Sequence, residues 1–287
     1  MKLDKNCIPC FVRQSMEAAK VYAAGDEALQ RETLRVALRT IAEADYEKSP
    51  PEIAAEYFRR IAALTGVEDP WAEAKRASNE AVRALLPRLR AEIEASPNPL
   101  ETAVRMAIAG NVIDFGTPRG NRGEDLLDVI EHARNAPLCM DAFAAFERRA
   151  SEAESILYLA DNCGEIVLDR LLIERLGPER VVLAVRGRPI LNDVTPADLP
   201  SAGLDGRLRV IDNGADVPGT VLSRCTPEFN ALFASADLAI AKGQGNYETL
   251  DDVGREIFFL MKVKCAVVSD AVGLPVDSLF FHGKDVR

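Results

Sequence analysis

The sequence predicts an α/β protein, a helical N-terminal part followed by a layered part built on a mainly parallel sheet. Two observations carry this. Residues 1 to about 150 are dominated by Ala, Leu, Glu and Arg, with apolar residues recurring at helical spacing. Beyond that point short apolar, β-branched runs alternate with helical stretches, the rhythm of strand–helix–strand units.

In the helical part, Leu34, Leu38 and Ile41 form one stripe and Val82, Leu85, Leu86 and Leu89 another. Pro50-Pro51, Asp69-Pro70 and Pro97-Asn98-Pro99 each stand just before a helical pattern. Proline suits a first helical turn, where its missing N–H would have no intrahelical partner. In the second part the runs 156–160, 181–185, 208–211, 238–241 and 266–269 read as strands. An amphipathic helix, 166–176, closes at Gly177, and a second, 247–261, precedes the last strand. Strands that are apolar almost throughout imply a parallel sheet covered on both faces. There are no internal repeats and no low-complexity segments.

Composition narrows the function. The net charge of −10 is wrong for a phosphate-backbone binder, so nucleic acid is not the expected partner. No run of 18 apolar residues exists, so no membrane span is expected, and the first residues have no secretory pattern. The six cysteines are scattered, which reads as reduced thiols in a cytoplasmic protein rather than a disulfide framework. Oligomeric state is not legible.

Ligands of open α/β sheets bind beyond the C-terminal ends of the strands. The residues just past each run are therefore informative. The first run leads into Asp161-Asn162-Cys163-Gly164-Glu165, the second into Arg186-Gly187-Arg188-Pro189 and then Asn192-Asp193-Val194-Thr195. The third leads into Asp212-Asn213-Gly214, the fourth into Lys242-Gly243-Gln244-Gly245-Asn246-Tyr247-Glu248, the last into Asp270. Every strand thus delivers a carboxylate, an amide or a cation to one edge.

Those types suit phosphate chemistry at a hard cation. Asp161, Asn162 and Asp193 offer oxygen ligands, which Mg²⁺ and Mn²⁺ prefer. The two histidines, His132 and His282, lie outside the clusters, which disfavours a histidine-rich zinc site. Lys242 can meet a phosphate as a point charge, and Gly243 and Gly245 let backbone N–H groups approach an anion. Taken singly, each motif has a plainer reading. Asp161-Asn162 can cap a helix, Asn192-Asp193 can be an Asx turn, and Lys242-Gly-Gln-Gly can be a simple turn, since it has neither Walker nor dinucleotide spacing. The case rests on their falling after strands of one sheet. Cys7-Ile8-Pro9-Cys10 is half a zinc site at most and has no redox strand before it. Asn111 and Asp114 interrupt an apolar stretch and need partners or a cavity.

With those residues in view, the chain resembles the domain of unknown function 89 family, the damage-control phosphatases. The matching segments are Gly110-Asn111-Val112-Ile113-Asp114, Asp161 to Glu165, Arg186 to Pro189 with Asn192 to Thr195, and Lys242 to Tyr247. The cysteine pair at the start resembles the compact microbial branch. The resemblance implies a helical part, 1–150, packed on a Rossmann-like three-layer domain, 151–287, that carries the metal site. It implies a divalent ion (Mn²⁺, Mg²⁺, Co²⁺ or Ni²⁺) on Asp161, Asn162 and Asp193, with Asp161 central to the chemistry and Lys242 on the phosphate. It implies that Asn111 and Asp114 reach the same pocket, and that the substrate is a small phosphorylated metabolite, a sugar phosphate or a damaged cofactor precursor. Arg186, Asn192, Gly243, Gly245 and Asn246 complete the expected substrate shell, with Glu165 and Asn213 orienting it. This chain departs from the larger branch in lacking a long insertion-bearing N-terminal domain, and in carrying Cys163 and Glu165 after the Asp-Asn pair. Two other functions compete: an S-adenosylmethionine-dependent protein carboxyl methyltransferase, and a non-enzymatic metal- or thiol-binding protein built on Cys7 and Cys10.

Overall fold

The computed structural model describes residues 1–111, 126–204, 206 and 208–283 of the 287. The N-terminal part is helical: α1 (Ile8–Tyr22), α2 (Glu27–Ala42), α3 (Pro50–Thr65), α4 (Ala72–Arg83), α5 (Leu86–Glu94), α6 (Pro99–Gly110), α7 (Leu126–Asn135) and α8 (Met140–Glu152). Prolines open α3, α5 and α6, and Gly66 ends α3 in the left-handed region at φ 69°. The second part runs β1 (Ile156–Leu159), α9 (Glu165–Leu176), β2 (Val181–Val185), α10 (Leu199–Ala202), β3 (Arg209–Asp212), α11 (Pro227–Ser235), β4 (Leu238–Lys242), α12 (Gly243–Leu250), β5 (Phe258–Lys262), α13 (Ala266–Val272) and β6 (Leu279–Gly283).

Among the described residues the sheet has the order β3-β2-β1-β4-β5-β6. All neighbours are parallel except β5 and β6. The order reverses between β2-β1 and β4, so the C-terminal ends of β1 and β4 form the switch point beside which ligands of open α/β sheets bind. The pleat divides the core by alternate residues. Ile156 and Tyr158 of β1 face one apolar cluster, with Met106 and Ile108 of α6 and Leu168 and Leu172 of α9. Leu157 and Leu159 face the other, with Phe229 of α11, Leu250 of α12 and Val268 of α13. The first cluster also takes in Phe143 and Phe146 of α8, so apolar packing runs across residue 150. A third cluster joins α1, α2 and α3 to Trp71 and, from the second part, Ile190.

Two elements differ from expectation. The helix expected over 247–261 is two elements: α12 stops at Leu250, and Phe258–Lys262 is β5. A run such as Phe-Phe-Leu-Met is apolar at every position, so its periodicity fits a buried helix and a buried strand alike. Pairing with β4 decides for the strand. The strand expected over 266–269 is the first half of α13, which ends on Gly273 at φ 70°. Asp270 therefore lies on that helix, exposed, and is not delivered to the strand edge. The antiparallel β6 supplies the remaining strand.

Candidate active site

Register sets the level of the site. Leu159 pairs with Ala184 on one side and Ala241 on the other. Two residues further along each chain stand Asp161, Arg186 and Gly243, side by side beyond the strand ends. The turn after β1 is zipped to the turn after β2 by backbone bonds from Val194 N to Asp161 O and from Cys163 N to Asn192 O, each 2.9 Å. An isolated antiparallel bridge joins Asn162 to Asp193. Leu191, left-handed at φ 49°, reverses the chain just before Asn192 and Asp193. The three proposed cation ligands are thereby brought together by backbone geometry.

The two oxygens of Asp161 have different surroundings. Oδ2 accepts from Asn162 Nδ2 at 2.7 Å and from Asn111 Nδ2 at 3.1 Å. Oδ1 faces the guanidinium of Arg186, with Nη2 at 3.7 Å. Arg186 is buried, donates from Nε to Asp193 Oδ2 at 2.7 Å, and leaves Nη2 without a hydrogen-bond partner. A buried donor left unpaired costs about 1–3 kcal/mol, so this one marks a place where an acceptor belongs. Gly243 makes the packing possible, because a Cβ there would sit 1.9 Å from Asp161 Oδ2.

Electrostatics favour a cation here. Burial, then repulsion from Asp193 and Glu165, holds the Asp161 carboxyl well above the usual carboxylate range, against the charges of Lys264 and Arg186. Burial also raises Asp193, with Arg186 and Lys75 opposing. Carboxylates crowded in this way are relieved by a bound cation. Among the described residues no group of three His, Cys, Asp or Glu side chains is arranged to hold a metal ion. Asp161, Asn162 and Asp193 could instead offer two carboxylates and an amide, a sparse oxygen set of the kind Mg²⁺-type ions accept when other ligands complete the shell.

Other expected residues have different places. Lys242 is at the site but turned under it. Its ammonium meets Glu165 Oε1 at 2.5 Å, Asp169 Oδ1 at 2.6 Å and Ala107 O at 2.8 Å, all buried. Burial works against its charge, and Asp169 and Glu165 outweigh that, keeping the ammonium above its ordinary range. With its protons so committed, Lys242 braces the floor instead of meeting a phosphate as expected. Asn111 bridges Asp161 and Glu165 and accepts from Lys262 N at 2.9 Å, so it ties the helical part to β5. Asn246 is buried, takes Thr220 Oγ1 at 2.8 Å and Arg186 Nη1 at 3.4 Å, and donates to Lys242 O. Asn213 organises the turn behind Arg186, accepting from Gly187 N and Ala215 N. Asn192 contributes its backbone carbonyl, and its side chain is half-buried. Gly245 lies against Pro218 O, where a Cβ would come within 2.0 Å, so it serves a close chain crossing and not an anion cradle. Asp114 lies outside the described residues. Lys264, exposed on the turn after β5, is the cation that sequence reasoning missed. The misassigned helix over 247–261 hid the turn that carries it.

Fold and site thus define an α/β protein that gathers acidic and amide groups around a buried arginine at a topological switch point. The chain belongs to the damage-control phosphatase ARMT1-like domain family, whose model matches residues 3–279. It is 34% identical to damage-control phosphatase PH1575 of Pyrococcus horikoshii over 97% of both chains. It is 32% identical to a damage-control phosphatase of Archaeoglobus fulgidus over 97% of this chain and 98% of the relative. The crystal structure of the Pyrococcus horikoshii DUF89 family protein superposes with a TM-score of 0.87, covering 99% of this chain and all of the other at 32% identity.

Proposed function

We propose that this chain is a divalent-metal-dependent phosphatase of small phosphorylated metabolites, such as sugar phosphates or damaged cofactor precursors. Family membership and relatives named as damage-control phosphatases support the reaction class. The single observation that carries the reading is the unpaired Arg186 Nη2 facing Asp161 Oδ1 inside a cluster of buried carboxylates. That juxtaposition suits an incoming group that is anionic but arrives with a cation.

Asp161, Asn162 and Asp193 would hold Mn²⁺, Mg²⁺, Co²⁺ or Ni²⁺, which supplies charge neutralisation at the phosphate. Asp161 would offer Oδ1 to that cation while the two amides fix Oδ2. Arg186 donates Nη2 to a phosphate oxygen, and its bond to Asp193 keeps the guanidinium plane in place. Lys264, at the exposed rim, meets the same anion as it enters. Lys242 keeps Glu165 and Asp169 paired below, so that their charges do not repel the substrate. Six free cysteines support work in the reducing cytoplasm. The methyltransferase alternative lacks support at the turn after β1, which is closed by Asn111, Asn162 and Glu165 and offers no glycine cradle.

The test is phosphate release from p-nitrophenyl phosphate and a panel of sugar phosphates, with each divalent ion in turn. Wild-type protein should turn over only with metal, and Asp161→Asn should lose at least about 10²-fold in kcat. Full activity of Asp161→Asn, or stabilisation by S-adenosylmethionine and by no metal, would reject the assignment.

A further inference from the structure

We propose that helix α4 is the brace of the cation site, with Asn79 and Lys75 as positioning residues for the two turns that carry its ligands. The inference rests on the reading of Asp161, Asn162 and Asp193 as cation ligands, and concerns residues that no sequence motif singled out.

Both side chains are buried, and their bonds converge on those turns. Asn79 Oδ1 accepts from Gly164 N at 2.6 Å, and Gly164 holds φ 81° to end the Asp161-Asn162 turn and start α9. Asn79 Nδ2 donates to Ser201 Oγ at 2.8 Å and to Asp198 O at 3.3 Å. Lys75 Nζ lies 2.9 Å from Asp198 Oδ2 and 2.7 Å from Asp69 Oδ2. Asp198 Oδ2 in turn receives Thr195 N at 2.8 Å and Thr195 Oγ1 at 2.7 Å, two residues past Asp193. One helix therefore grips the end of each turn, one turn directly and the other through Asp198.

Packing alone does not require this. A helix side facing α9 and α10 is satisfied by apolar residues, as Val82 does one turn on. Burying a lysine and an asparagine costs several kcal/mol unless every bond is made. Such burial is understandable when two turns must be held at a fixed separation. Partners one step behind metal ligands have this effect, and their loss costs about 10–100-fold in affinity.

The experiment uses metal-free full-length protein and reads Mn²⁺ affinity by calorimetric titration, beside kcat and KM at saturating and limiting Mn²⁺. Asn79→Ala should weaken Mn²⁺ binding about 10–100-fold with unchanged far-UV circular dichroism, and its activity should recover in part at high Mn²⁺. Asn79→Asp, which keeps the acceptor for Gly164 N–H, should retain most of the affinity. Ser201→Ala removes the hydroxyl that accepts from Asn79 Nδ2 and donates to Asp198 O, but leaves the Asn79–Gly164 and Lys75–Asp198 contacts in place, and should bind Mn²⁺ as wild type does. If Asn79→Ala does not fold, Asn79→Ser carries the same test, because its shorter side chain cannot reach Gly164. Wild-type affinity in the Asn79 loss variant, or an equal loss in Ser201→Ala, overturns the brace. Wild-type protein that binds no Mn²⁺ overturns the cation reading itself, and the brace with it.

Discussion

At the scale of single residues, the site works by giving the two oxygens of one carboxylate different jobs. Asp161 Oδ2 is saturated by amides and Oδ1 is left facing Arg186. Gly243 sets how closely the β4 turn can approach. At φ 78°, with 1.9 Å from a would-be Cβ to Oδ2, Gly243→Ala must displace Asp161. Phosphate release should fall about 10²-fold, and the melting temperature should drop by the equivalent of about 1–3 kcal/mol. Glu248 gives a pH signature. Burial pushes its carboxyl up to about 7. The folded protein therefore binds this proton more tightly than the unfolded chain does. Stability is lost as pH rises from the unfolded value through about 7. Glu248→Gln removes that penalty while keeping the acceptor for Gln244 Nε2. It should gain about 2 kcal/mol at pH 8 and match wild type near pH 4. Chemical denaturation at both values checks this, and an equal difference at both would refute it. The clustering of Asp161, Asn162 and Asp193 was legible because carboxylates and amides are recognisable types after a strand. The orientation of Lys242 was not, since its partners Glu165 and Asp169 lie more than 70 residues away on helix α9.

At the scale of elements, end signals were more readable than the interiors of buried runs. Prolines marked the starts of α3 and α6, and Gly177 marked the end of α9. β5 was read as helix because it is apolar throughout, and α13 as strand because the short run Ala-Val-Val at its start is rich in β-branched residues and too brief to show a helical period. The exposed helices obey local rules, and α2 gives a clean test. Asp26 Oδ1 caps it by accepting from Leu29 N at 2.9 Å, an exposed bond that involves no residue of the candidate site. Asp26→Ala should cost about 1 kcal/mol in thermal or urea melts with kcat unchanged. A matching loss of activity would mean that α2 communicates with the site. The brace on α4 lies at the other extreme. Asn79 and Lys75 sit in an ordinary-looking helix, and only their contacts with turns more than 80 residues on give them meaning.

At the scale of the whole molecule, the helical part is a structural component of the site. Asn111 at the end of α6 reaches Asp161, Glu165 and Lys262 N, and Ala107 O accepts from Lys242. Phe146 of α8 packs edge-on against Phe258 and Phe281, with centroids 5.3 and 5.5 Å apart. Residues 151–287 expressed alone would bare that apolar face and leave Lys242 short of a partner. They should show no cooperative thermal transition and should bind a hydrophobic dye. A sharp melt would overturn this expectation. The change from helices to alternating strands and helices was readable from composition, but the extent to which one core spans both was not, because such contacts are long-range.

One flank of the sheet carries a further consequence. β3 is the outermost strand beside β2, a short segment whose two end residues, Arg209 and Asp212, are exposed. Another molecule sliding in sideways to extend the sheet would have to strip water from those charges before finding free amides. Sheet extension along the β3 flank is therefore disfavoured.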